Sequence, residues 1–297
     1  MDSPAPDRMK IIISIYAILF LLLIDNFYGG SSSPLISASS YLFLFLVGGA
    51  GGFLSGLLGI GGGIVMFPIL LYLPPLFGLE PIAVKAITGL TMAQGFFSAF
   101  TATFFYKRER LISKGLVFTL GVSLFISSLA GSLLSKMVPD TPILLIFGFL
   151  AFLAAIMMLI PRDYTSDDLR EEEVSFNRNL AVMTGLLIGV LLGIVGQGGA
   201  FIIIPVLLYV LKIPLRIAFG STLAIGLLSS GAGLTGKVAT SQVPFPMAAA
   251  LLAGAMPMAY IGGIVGKRTD TKVLRWLLAC LILLSAVKIW SDIIGRF

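Results

Sequence analysis

Histidine is absent from this 297-residue chain, and cysteine occurs once, at Cys280. These two absences remove His-ligated metal sites, Ser/His and Cys/His catalysis, disulfides and histidine proton relays. Cys280 lies in LLACLILL, where a small buried apolar residue is expected. Charge is also scarce. Only 11% of the residues are Asp, Glu, Lys or Arg, against about 25% in soluble domains. All 14 acidic residues fall in loops, in tails or near the ends of terminal helices. A carboxylate relay for protons or sodium inside a bundle therefore has no members. With no intramembrane Asp pair and no Ser–Lys arrangement, the chain is not expected to be an enzyme, and no cofactor or metal is expected.

Apolar residues make up 58% of the chain, and the mean hydropathy is +1.05. The runs 115–134 and 143–160 hold no charged residue, and each can cross a hydrocarbon layer of ~30 Å. The chain reads as an all-α polytopic membrane protein surrounded by lipid. Apolar segments fall at 11–28, 41–77, 82–106, 115–137, 142–160, 181–211, 216–237, 246–266 and 272–291. Two of them, 41–77 and 181–211, are too long for one crossing at 1.5 Å per residue. Each carries a glycine cluster, and each is expected to fold back as a hairpin.

The basic residues support that reading through the positive-inside rule. With Arg8 and Lys10 in the cytoplasm, the loop KRERLISK at 107–114 also falls inside. So do Arg162, Arg170 and Arg178, the turn with Lys212 and Arg216, and the loop with Lys267, Arg268, Lys272 and Arg275. The expected outer loops at 29–40, 78–81 and 238–245 contain no Lys or Arg. Single crossings at the glycine clusters would scatter the basic loops over both sides. The net charge of +6 is therefore an orientation signal, and no nucleic acid partner is expected. The stretch after Arg8 and Lys10 also fits the opening of a signal peptide, although no small-residue cleavage site follows it.

The two long segments match each other. GGGIVMFPILLY (Gly61–Tyr72) aligns without gaps on GGAFIIIPVLLY (Gly198–Tyr209), pairing Pro68 with Pro205 and Tyr72 with Tyr209. Each half is then one glycine-broken hairpin plus three spans, and the halves enter from opposite sides. The expected organisation is an N-terminal helix and outer loop (1–40), repeat 1 (41–160), a cytoplasmic polar linker (161–180) and an inverted repeat 2 (181–297). Paired interrupted helices of this kind point to a binding site near the midplane. Breaks at Gly59–Gly63 and at Gly196–Gly199 are expected to free backbone N–H groups that favour an anion, with Gly61, Gly62, Gly63, Gln197, Gly198 and Gly199 as candidate binding residues. The competing reading is that the glycines only permit close helix packing.

Polar residues inside the spans complete the candidate site. Gln94 and Gln197 lie at depths where polar side chains face a bundle interior. Thr88, Thr91, Ser221 and Thr222 offer hydroxyls to an anion, or else bond back to their own helix. Lys85 and Lys237 stand near outer span ends, where snorkelling toward the interface is expected and attraction of anions is the alternative. GAGLTG at Gly231–Gly236 fits a dinucleotide-loop pattern, but it sits inside an apolar span without the strand that such a loop needs.

GLLGIGGGIVMFPILLY, its weaker copy GIVGQGGAFIIIPVLLY, and AFGSTLAIG together resemble the sulfite exporter TauE/SafE family over about 41–291. The first half departs from the family's Ala-Gly-Thr-Ser signature at AVKAITGLT, with Lys85 at a position that is small or apolar in the pattern. The resemblance implies an inner-membrane transporter of sulfite, sulfonates such as sulfoacetate, and related small anions. A negative cell interior drives an anion outward by about 2.3 kcal/mol per charge per 100 mV. An exporter therefore needs no coupling ion. An ion-coupled importer of the same anions and an anion channel are the alternatives.

Overall fold

A computed structural model describes residues 38–58, 63–106, 113–160, 176–198 and 200–295. The expected span at 11–28, most of the linker, and Gly61, Gly62 and Gly199 lie outside the described residues. Ten α-helices and no strand occur among those described: α1 Ala38–Leu58, α2 Gly63–Leu76, α3 Val84–Tyr106, α4 Lys114–Leu134 and α5 Asp140–Leu159, then α6 Arg178–Val195, α7 Ala200–Pro205, α8 Leu215–Ala239, α9 Phe245–Arg268 and α10 Thr271–Ile294. Six of them (α1, α4, α5, α6, α9 and α10) are long and apolar enough to cross a membrane. In the second glycine-rich segment, residues 196–198 lie outside any helix. The chain is a multi-pass helical membrane protein.

Local chemistry sets several boundaries. Asn177 caps α6, its side chain accepting from Leu180 N at 3.1 Å. Gly196 ends the same helix in the left-handed region, at φ +76°. Its amide and that of Gln197 both return to Leu192 O, at 2.9 and 3.1 Å, which satisfies a terminal carbonyl. In α2, Pro68 removes the amide that Ile64 O would otherwise receive. Ser285 on α10 donates to that carbonyl at 3.1 Å instead. Ser285→Ala is expected to cost about 1–3 kcal/mol, since it leaves a buried acceptor unsatisfied; thermal unfolding in detergent measures it. In the second hairpin the equivalent Pro205 closes α7, and Val206–Val210 continue as a π-helical turn.

Packing follows the repeat. α1 lies on α9 and α6 on α4; α3 and α8 meet each other, and so do α5 and α10; α2 touches α10 where α7 touches α5. Exchanging the elements of one half for those of the other reproduces the same contacts. The close pairs run parallel. Gly48, Gly52 and Gly56 of α1 abut Leu251, Ala255 and Ala259 of α9 in ascending order, as Gly185 and Gly189 of α6 abut Ser123 and Ser127 of α4. The packing role of glycine thus belongs to these helix contacts as well. Phe67 on α2, Phe147 on α5 and Phe201 on α7 brace the two hairpins, with ring centroids 4.5 and 6.1 Å apart.

One expectation is corrected here. Cys280 is exposed, not buried. It shares an outward face of α10 with Trp276, Leu283, Leu284 and Val287, all exposed. In lipid such a face is as apolar as a core.

Candidate functional site

The two glycine breaks meet. Gln197, just past α6, donates from Nε2 to Gly63 O at the start of α2, at 3.0 Å. A Cβ on Gly63 would run into Gln197 Oε1, so any larger residue there has to push the Gln197 amide aside. Gly196 is more tightly constrained, because its φ is +76° and a Cβ there would strike the backbone and Cβ of Thr88 on α3. Gly198 comes close to α3 and α8: a Cβ would stand 3.3 Å from Ser230 Cβ and 3.7 Å from Gly95 Cα.

Around the junction several buried polar atoms have no hydrogen-bond partner among the described residues. They are both amide atoms of Gln94, Gln197 Oε1, and the hydroxyls of Ser55, Ser98 and Ser229. All of these side chains are buried, and Gln94 and Gln197 are each 0% exposed. Gln94 points toward α1, since a Cβ on Gly51 would lie 2.5 Å from its Nε2. An unsatisfied buried amide costs on the order of 1–3 kcal/mol per group.

The polar residues of α3 form one stripe: Thr88, Thr91, Gln94, Ser98 and Thr101 are spaced 3 or 4 apart and all are buried. Thr91 Oγ1 hooks the stripe to the second break, donating to Gly196 O at 2.7 Å, closer than to Ile87 O or Thr88 O. Thr88, Thr91, Gln94, Gln197, Gly63 and Gly198 are therefore brought together. Ser221 and Thr222 sit further along α8. Ser221 Oγ accepts from Ser113 N at 3.0 Å, and Thr222 bonds back to Ala218 O at 2.6 Å.

Snorkelling is corrected for Lys237. Its side chain is 0% exposed, and its ammonium donates inward. Nζ lies 2.8 Å from Thr88 Oγ1 and Ser135 Oγ, and 3.1 Å from Ile194 O and Gln242 Oε1. The reason is the end of α6: its last carbonyls carry partial negative charge, and three neutral oxygens surround the same point. Lys85 is half-buried, and its Nζ donates to Lys136 O at 2.8 Å. Ser135 and Gln242 were not singled out by sequence, and no local pattern marks them. Ser98 and Thr101 were legible as continuations of the α3 stripe.

The family described as Sulfite exporter TauE/SafE matches residues 44–289. Among relatives, the chain is 22% identical to the Probable membrane transporter protein YunE of Bacillus subtilis, covering 82% of this chain and 95% of that protein. It is 27% identical to the Probable membrane transporter protein MJ0441 of Methanocaldococcus jannaschii, over 80% of this chain and 91% of that one. A Probable membrane transporter protein of Xylella fastidiosa is 30% identical over 60% of this chain and 67% of its own. No solved structure matches the chain.

Proposed function

The chain belongs to the sulfite exporter TauE/SafE family, and from that premise we propose that this membrane transporter carries small sulfur oxyanions or organosulfonates outward across the inner membrane. The observation that carries the reading is the junction of the two breaks. Gln197 bridges to Gly63 while Gln94 holds a buried amide free of partners among the described residues. Amide N–H groups and hydroxyls can replace part of an anion's hydration, and neither pays the dehydration of a second full charge. The exchangeable contacts between halves and the parallel α1–α9 and α4–α6 pairs support two inverted repeats, 41–160 and 181–297. Rocking of one repeat against the other would open the junction to each side in turn.

The direction of transport rests on charge. Among the described residues no carboxylate is buried, so nothing there couples a proton or sodium ion through an acid. Outward movement of an anion is already favoured by the membrane potential.

Purified protein is reconstituted in liposomes and tested with sulfite, sulfate, thiosulfate, sulfoacetate, taurine and chloride. Saturable efflux of a sulfur oxyanion that steepens with an imposed potential is the expected result. Efflux indifferent to potential, or absent for the whole panel in folded protein, defeats the reading. Stepwise single-channel currents would identify a channel instead. Gln94→Leu provides a companion prediction. Unfolding in the absence of anions should become harder by about 1–3 kcal/mol as an unsatisfied amide is lost, while stabilisation by the transported anion disappears. Thermal unfolding with and without the anion reads both effects.

A further inference from the structure

Lys237 is the one charged side chain that is fully buried among the described residues. It joins both halves: Thr88 belongs to α3 and Ser135 follows α4, whereas Ile194 ends α6 and Gln242 lies beyond α8. All four acceptors are neutral, so no carboxylate balances the ammonium within this shell.

The shell needs the lysine only in part to satisfy its side chains. Thr88 Oγ1 donates to Lys85 O at 2.7 Å. Ser135 Oγ accepts from Gln242 Nε2 at 2.9 Å and donates to Ser132 O at 2.6 Å. Gln242 Oε1 has Ser135 Oγ within 3.2 Å. The Ile194 carbonyl and Gln242 Oε1 do depend on Lys237, because the single Ser135 hydroxyl proton goes to Ser132 O. Burying an ion costs several kcal/mol, and no carboxylate in this shell offsets that cost, so stability alone gives little reason to keep the lysine.

Its position supplies another reason to keep it. Lys237 caps the α3 stripe at Thr88; Thr91 one turn on touches Gly196, and Gln94 follows at the junction. Lys85 adds a second positive charge one turn from Thr88. We propose that Lys237 is a binding residue for the transported oxyanion, at the end of the path beyond the two breaks. As α3 and α8 separate, the ammonium exchanges Ser135 and Gln242 for the anion, and it returns to them when the anion has left. This rests on the transporter reading above.

The test uses Lys237→Met, an uncharged chain of similar length, with sulfite as the probe in liposomes. Lys288→Met, which removes a charge lying over the Tyr72 ring 4.7 Å from its centroid, is the control. Lys237→Met should unfold at the temperature of the parent protein or above it. Its KM for sulfite should rise about tenfold or more, the loss of one charged hydrogen bond, while Lys288→Met changes neither quantity. An unchanged KM in Lys237→Met overturns the proposal. So does a large fall in unfolding temperature, which would make the lysine structural, and so does an equal rise in KM for Lys288→Met. Parent protein that moves no anion of the panel overturns the transporter reading and this inference with it.

Discussion

Replacing Gln197 with leucine is expected to lower transport of the anion by about 10- to 150-fold, the equivalent of one hydrogen bond to a charged group. The residue projects from the second break directly onto the first, donating to Gly63 O at 3.0 Å, and its Oε1 has no partner among the described residues. Leucine is close in size, so the junction stays filled. Folding loses one neutral hydrogen bond, about 1 kcal/mol, and gains relief from a buried unsatisfied oxygen of similar magnitude. The unfolding temperature without anion should therefore hardly move. The discriminating measurement pairs efflux from liposomes with thermal unfolding in detergent. Lost transport at unchanged stability places the anion at the junction. Equal losses in both would return Gln197 to the role of a packing bridge between hairpins.

Gly52→Leu should instead disrupt the fold. A Cβ at this position runs into the backbone oxygen of Ala255 on α9, with Ala255 Cα 2.6 Å away. Backbone atoms cannot rotate aside, so α1 and α9 must part along a contact that Gly48 and Gly56 make equally close. Overpacking costs about 1–3 kcal/mol where side chains can adjust, occasionally more; here the cost should reach or exceed the upper figure. The comparison is Gly115→Ala on α4, where a Cβ meets only Phe176 Cε1, at 3.9 Å. That change should be neutral or stabilise by up to about 1 kcal/mol through helix propensity. Similar unfolding temperatures for the two variants would show that close helix approach does not set the glycine requirement.

Much of this architecture was legible because its signals are local. The expected segment at 142–160 is α5, Asp140–Leu159, and the glycine cluster at 196–199 interrupts the helix where the alignment of Pro68 with Pro205 placed a break. The stripe of Thr88, Thr91 and Gln94 was legible for the same reason, since residues 3 or 4 apart on a helix share a face. The burial of Cys280 and the snorkelling of Lys237 were misjudged for one reason. In a lipid-embedded bundle the outward and inward faces are equally apolar, so LLACLILL has the same pattern on either side. Nothing near Lys237 in sequence announces Thr88, 149 residues away. Ser285 gives no sign that it completes Ile64, 221 residues away.

The sequence by itself determined that the chain is helical and crosses a membrane, and that two of its long apolar segments carry matching glycine clusters. Hydropathy, helix periodicity and backbone freedom are properties of neighbouring residues and survive in any tertiary arrangement. Only the tertiary structure decided that Gln197 reaches Gly63, that Gln94 is buried without a partner, and that the one fully buried ammonium closes the end of the α3 stripe, all among the described residues. Each of those depends on which distant backbone groups are left unsatisfied and which side chain can reach them, and that is fixed when the helices pack.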